Sequence, residues 1–266
     1  MLGDVGLSGD IERILRPLEG HFGVYARNLG TDEVVEVNAG EILVTESAAK
    51  TFVLLHYDRV VASGTCDPSE RVVVPDDFRF GGTGVIRYLS GGLTLSREDL
   101  AWLMTIVSDN VATTLLLLEI GGPEAVNETA ADLGLTTARL ATFAEMWDGA
   151  PFGRSTARDL AEAYAHVEGP SKQKLFYQQD RIGLPRRLAH DPYASDTRDT
   201  MPVRAYTKSG VGPTTFVDSG LFETDTARWV VAAMASGLPL RTSKAGDPVP
   251  AAFGEIGWTL FSNWDR

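Results

Sequence analysis

The sequence predicts an α/β protein in which strands from near both termini share one mixed sheet and an all-helical segment is inserted between them. Three observations carry this expectation. Apolar alternation at 22–28 and 34–37 returns in strand-like runs at 203–207, 216–223 and 227–235. Between these regions the apolar residues recur at helical spacing, with cap-forming residues ahead of several runs. No repeat, linker or low-complexity stretch divides the 266 residues, a length that suits a single two-lobed domain over 1–266. The sheet lobe is expected at about 1–46 and 200–266, and the helical lobe at about 47–199.

Each element has a local reason. Ser8 or Asp10 is suited to cap a helix carrying Ile11, Leu15 and Leu18. Two strands then flank Gly30-Thr31-Asp32, a turn sequence that makes them a hairpin. An apolar helix is expected over 48–62, followed by a loop-rich stretch over 63–92. Ser96-x-x-Asp99 is a capping-box signature that opens a helix to Val107. The run 110–120 is apolar nearly all round and marks a buried central helix ending at Gly121-Gly122. Pro123 opens a further helix to about Leu133, Ser155 is the expected cap of one reaching Val167, and a last helix covers about 251–261.

Composition removes several function classes. A formal charge of −12 repels phosphate backbones and anionic lipid heads, so neither nucleic acid nor a membrane surface is an expected partner. One cysteine, Cys66, excludes an internal disulfide and a cysteine-based zinc site. The four histidines lack HExxH spacing, and no metal or cofactor is expected. No window reaches the roughly 18 apolar residues of a membrane helix and no signal-peptide pattern opens the chain. The chain as given therefore reads as cytoplasmic, or as periplasmic or secreted if a leader has been removed, and as a monomer.

Three short motifs carry the chemistry: Ser47-Ala48-Ala49-Lys50, Ser108-Asp109-Asn110 and Lys208-Ser209-Gly210. A serine at a helix start with lysine three residues on puts both side chains on one face. An unprotonated lysine there can take the hydroxyl proton, which requires burial or a second cation, such as Lys208, to depress its pKa. Helix-start and strand N–H groups would serve a developing oxyanion. The chain has 19 Arg and only 5 Lys, yet two of those lysines stand in these motifs, where arginine cannot act as a base. Ser171-x-x-Lys174 repeats the spacing in a polar segment and is read as a solvated helix start.

Other candidates carry less. His21, His56, His166 and His190 offer a Ser-His-Asp alternative without a G-x-S-x-G elbow, and His56 reads as structural. Cys66 has no basic neighbour in sequence to activate it. Gly81-Gly82-Thr83-Gly84 lacks the lysine of a phosphate loop and reads as a flexible cleft edge. The tryptophans read as packing residues, with Trp147 in reach of a substrate.

In this order and spacing the motifs resemble those of the class A β-lactamases and, more broadly, the penicillin-recognising serine hydrolases. The similarity extends to 108–117, to Ile120-Gly121-Gly122-Pro123 and to Arg139-Leu140. It implies a β-lactamase/transpeptidase-like fold, a five-stranded antiparallel sheet with flanking helices beside an all-helical lobe. It also implies a small-molecule acyl substrate, a β-lactam, peptide or ester, opened through an acyl-enzyme. On this resemblance Ser47 is the nucleophile, Lys50 its proton acceptor and Ser108 a relay to the leaving nitrogen. Asn110 binds a substrate amide, Lys208, Ser209 and Gly210 form the strand that holds substrate carboxylate, and Val211 with Ser47 supplies the oxyanion N–H groups.

The departures are as informative. An ungapped count from Ser108 puts Ala144 where the family's deacylating glutamate stands, with Glu145 one residue later as the candidate base by register shift. Asp148 replaces the partner asparagine, and Thr142 and Arg154 replace the salt bridge that pins the loop. The stretch 212–218 lacks the strand arginine that assists with carboxylates. Intact acylation with slow deacylation is the expectation. An esterase, amidase or D-alanyl peptidase of the same fold, or a non-catalytic binding scaffold, are the alternatives.

Overall fold

A computed structural model describes residues 6–78, 81–188, 203–240 and 247–265. Helix α1 (Gly6–Leu15) precedes the hairpin of β1 (His21–Asn28) and β2 (Val34–Val37). Asn28 closes that hairpin: its Oδ1 accepts from the N–H groups of Gly30 and Thr31, at 2.9 and 3.2 Å. The two-residue strand β3 (Leu43–Val44) leads through the 3₁₀ turn Glu46–Ala49 into α2 (Lys50–Ala62). A small hairpin, β4 (Arg71–Val73) with β5 (Thr94–Ser96), precedes α3 (Arg97–Ile106), α4 (Asn110–Glu119) and α5 (Gly122–Asp132). Next come β6 (Arg139–Leu140), α6 (Phe143–Trp147), β7 (Gly153–Ser155), α7 (Ala157–Ala163) and α8 (Gly169–Phe176). Strands β8 (Arg204–Gly212), β9 (Thr215–Glu223) and β10 (Arg228–Ser236) and helix α9 (Pro248–Trp264) complete the order.

The main sheet runs β2-β1-β10-β9-β8 and is antiparallel at every pairing, which resolves the expected mixed sheet. Strand β1 enters beside β10, with Tyr25 opposite Ala232, so the N-terminal hairpin completes a sheet begun by the C-terminal strands. Both faces are covered, and successive residues divide between two cores. Val230, Ala232 and Met234 face the helical lobe, while Trp229, Val231 and Ala233 face α1 and α9. Trp229 stacks on Phe222 at 5.7 Å, a pair that adds about 0.5–1.5 kcal/mol to its burial.

Several local expectations hold, and others are corrected. Ser96 and Asp99 form the capping box of α3. Ser8 and Asp10 lie inside α1 rather than ahead of it, and Ser8 Oγ accepts from the N–H of Glu36. Thr156, not Ser155, caps α7, because its Oγ1 accepts from Asp159 N while the Ser155 hydroxyl turns to Thr156 O. The β4/β5 hairpin falls partly inside the stretch read as loop. The expected lobe boundary near 199/200, and His190, lie outside the described residues.

Candidate active site

The turn that carries Ser47, the candidate nucleophile, is built where β3 meets α2. Thr45 N donates to Gly153 O at 3.0 Å, which ties the turn to β7. The helix does not begin at 48 as an α-helix, because Glu46–Ala49 is wound as 3₁₀ with about three residues per turn. That winding sets Lys50 almost directly over Ser47. Strand β8 lies tight against this turn at Gly210, where a Cβ would stand 2.3 Å from Thr45 O and 2.9 Å from Ala48 N. Only glycine permits that approach, and it brings Val211 alongside Ser47.

Lys50 is buried and held by three oxygens. Its Nζ donates to Ser108 O at 2.7 Å, meets Ser108 Oγ at 3.0 Å and donates to Asn110 Oδ1 at 2.9 Å. All three partners are oxygens of uncharged groups, and none is a carboxylate. Burial, and next the Lys208 charge, hold the Lys50 pKa well below that of an ordinary lysine, while Asp109 opposes the shift.

Ser108-Asp109-Asn110 is locked in place from the N-terminus of α4. Asp109 Oδ1 caps that helix by accepting from Ala112 N at 3.0 Å, and its Oδ2 accepts from Val85 N and Ile86 N. Asn110 N donates to Thr83 O, and Thr83 Oγ1 donates to Ser108 O at 2.7 Å. The glycine-rich segment at 81–84 is therefore hydrogen-bonded to the site rather than a loose cleft edge. Ser108 itself has φ +55°, a left-handed conformation that costs a non-glycine residue roughly 1–2 kcal/mol. Four non-glycine residues among those described have positive φ, of which Asp32 and Asn38 are types that tolerate it; the others, Glu46 and Ser108, both belong to this site.

Strand β8 presents Lys208 differently from expectation. The lysine is buried beneath the cleft, its Nζ donating to Ser209 O at 3.0 Å, and burial lowers its pKa to about 8 against the opposing pull of Asp180 and Asp218. Ser209 reaches the cleft, where its hydroxyl donates to Asp180 Oδ2 at 2.7 Å. Asp218, paired opposite Ser209, is pushed up to about 7 by burial and by Asp180, although Leu184 N and Ser219 N donate to it. The strand expected to receive a carboxylate thus already faces one. Sequence reasoning misses Asp180, since nothing local in Gln178-Gln179-Asp180 marks it.

Ser47 stands between two cavities. One, of about 260 Å³, lies between the nucleophile turn and the loop carrying α6, with Glu46, Lys50, Asn110, Met146 and Phe152 among its walls. The other, of about 210 Å³, is bounded by Ser108, Asp180, Ser209 and Val211. Six of the expected residues, Ser47, Lys50, Ser108, Asn110, Ser209 and Val211, line one or both cavities.

Glu145, the candidate base, is not among the residues lining either cavity. Its carboxylate closes a capping box on α6 by accepting from Thr142 N at 2.8 Å, and it pairs with Arg139 at 2.8 Å. Those partners, Arg139 first, hold its pKa below the ordinary glutamate value. The loop is nevertheless anchored without the family's salt bridge. Its neck is closed by β6 and β7, by Ala141 N to Phe152 O at 3.0 Å, and by Asn127, whose amide bonds both the N–H and the carbonyl of Leu140.

The remaining candidates do not line either cavity. His56 is buried between Thr129 Oγ1 and Ile120 O, and the carbonyl partner assigns the ring proton to Nε2. Cys66 is buried, and burial raises its thiol pKa. Trp147 is 91% exposed on α6. Ser171 and Lys174, read as solvated, are both fully buried: Ser171 Oγ donates to Asp58 Oδ1 at 2.5 Å and Lys174 Nζ lies 2.7 Å from Glu98 Oε1. No helix among the described residues is long and apolar enough to cross a membrane, and no group of three or more potential metal ligands occurs among them.

Comparison with known proteins gives this geometry its setting. A β-lactamase from Sphaerobacter thermophilus is similar in structure, with a TM-score of 0.81 at 23% identity over 98% of this chain and 97% of that one. A point mutant of PBP-A, in an acyl-enzyme complex with penicillin G, superposes with a TM-score of 0.82 at 18% identity over 96% and 95% of the two chains. The fold is thus that of the β-lactamases and their transpeptidase-like relatives. A β-lactamase of Streptomyces lavendulae is 35% identical over 172 residues, 60% of this chain, and the match spans about half of that relative, 55%. The profile described as "Beta-lactamase enzyme family" matches residues 6–264, and the chain belongs to that family.

Proposed function

We propose that the chain is a serine hydrolase that opens β-lactam or related amide bonds through an acyl-enzyme on Ser47. The observation that carries this reading is the state of Lys50, buried and bonded to a carbonyl, a hydroxyl and an amide oxygen rather than to a carboxylate. Burial and the Lys208 charge lower the pKa of a lysine so placed, which favours the neutral amine that can accept a proton. Ser47 Oγ attacks the substrate carbonyl as its proton passes to Lys50, and the oxyanion forms against the N–H groups of Ser47 and Val211. The C–N bond then breaks as Ser108, hydrogen-bonded to Lys50, delivers a proton to the leaving nitrogen. Asn110 holds Lys50 and is offered to the substrate amide, and Gly210 lets β8 close on the nucleophile turn. The loop carboxylate Glu145 is committed to Arg139 and Thr142, so deacylation is slow unless another carboxylate activates the water.

A second reading, an esterase or amidase for uncharged acyl groups, is favoured by Asp180. Its carboxylate on Ser209 opposes a substrate carboxylate at the place where the resemblance would seat one. Stopped-flow kinetics with penicillin G, a chromogenic cephalosporin and p-nitrophenyl acetate test both. A burst of one equivalent with a β-lactam supports the first reading, and turnover of the ester alone supports the second.

A further inference from the structure

We infer that Glu46, the residue before the nucleophile, is the general base that activates water for hydrolysis of the Ser47 acyl-enzyme. The inference rests on the reading of Ser47 as nucleophile. Glu46 is the one carboxylate among the residues lining the 260 Å³ cavity, which it shares with Ser47 and Lys50. Lys50 is the one other charged group on those walls, and the loop side contributes Met146, Ala150 and Phe152. The loop carboxylate Glu145 is bound elsewhere, to Arg139 and Thr142 N.

Three features fit Glu46 for the task. Among the described residues its carboxylate has neither a hydrogen bond nor an ion pair, so its lone pairs are open to a water in the cavity. Its backbone is held at φ +47°, in the left-handed region that a glutamate rarely adopts. The end of β8 makes room for the side chain, since a Cβ on Gly212 would stand 2.4 Å from Glu46 Oε1. Partial burial also raises the Glu46 pKa, which strengthens it as a base near neutral pH.

The step balances within the site. Water oxygen bonds to the acyl carbon as one water proton passes to Glu46. The tetrahedral oxyanion is held by the N–H groups of Ser47 and Val211, and its collapse breaks the bond from carbon to Ser47 Oγ. That oxygen recovers the proton, leaving free Ser47 and a carboxylic acid.

The test measures acylation and deacylation separately, by single-turnover kinetics and intact-protein mass spectrometry with penicillin G and p-nitrophenyl acetate. Glu46→Gln is expected to keep acylation within a few-fold, to slow deacylation by about 10²-fold or more, and to accumulate one equivalent of adduct. The parent protein is expected to deacylate faster as pH rises, and Glu46→Gln is expected to lack that rise. Gly212→Ala, which crowds the carboxylate without removing it, is expected to slow deacylation in the same direction, so the test does not depend on one variant folding. Unchanged deacylation in Glu46→Gln, or an equal fall in both steps with the pH profile retained, overturns the proposal. Absence of any adduct on Ser47 in the parent protein overturns the underlying reading and the proposal with it.

Discussion

Ser47-x-x-Lys50 and Ser171-x-x-Lys174 have the same spacing, and both lysines are buried, at 3% and 0% exposure. What separates them is the charge and donor capacity of their neighbours. Lys174 lies against Glu98 at 2.7 Å and over the rings of Tyr57 and Trp102, and Ser171 is committed as a donor to Asp58. The lysine there has a carboxylate beside it, and the serine hydroxyl is bonded to a different group from that lysine. Lys50 instead meets neutral oxygens, and burial, then the Lys208 charge, hold its pKa well below that of an ordinary lysine. Burial is common to both lysines, whereas the carboxylate stands beside Lys174 alone.

The contrast can be broken from either end. The largest effect is expected for Lys50→Ala, which should lower the acylation rate by about 10²- to 10⁴-fold in single-turnover measurements, whereas Lys174→Ala should leave that rate within a few-fold. Next comes Glu98→Gln, which removes the carboxylate 2.7 Å from the buried Lys174 Nζ. A loss of about 3 kcal/mol in urea unfolding is expected, with acylation retained.

A smaller effect is expected for Ser171→Ala, about 1–3 kcal/mol, and its sign with pH is defined. The Asp58 pKa is raised to about 6, mainly by burial, and the Ser171 hydroxyl opposes that rise by favouring the ionised form. Because the folded pKa exceeds the unfolded value near 3.9, ionisation of Asp58 already lowers stability as pH climbs from about 4 to 6. Removing the hydroxyl should deepen that loss, so the destabilisation measured at pH 7 should exceed that at pH 4.

The smallest effect concerns Lys208. Acylation should rise with pH as Lys50 loses its proton and weaken above about pH 8 as Lys208 is neutralised. Asp180 supports the Lys208 charge, so Asp180→Asn should move the alkaline limb to lower pH. The same change removes the carboxylate on Ser209 and should lower KM for carboxylate-bearing substrates several-fold relative to neutral esters.

Legibility in the sequence follows the range of the interaction. The Ser96 and Asp99 box and the hairpin turn at Gly30-Thr31-Asp32 are readable because each is satisfied within a few residues. Ser47, Lys50, Ser108, Asn110 and Lys208 are readable because their motifs are short and their chemistry restrictive. The polar run Ser171-Lys172-Gln173-Lys174 misleads because what buries it is distant: Asp58 is 113 residues from Ser171. Asp180 escapes notice for the same reason, since its importance lies in a hydrogen bond to a serine 29 residues away. Glu145 satisfies a sequence count, but a capping box three residues long has the stronger claim on its carboxylate. Glu46 draws no attention beside Ser47 because a left-handed backbone and the space at Gly212 are visible only in three dimensions.

The most direct test of the claim that environment, rather than spacing, selects the nucleophile is peptide mapping of the covalent adduct formed with penicillin G or p-nitrophenyl acetate. The account predicts one acyl group, on the peptide containing Ser47, lost in Ser47→Ala and retained in Ser171→Ala. An adduct on Ser171, or one that persists in Ser47→Ala, would contradict it.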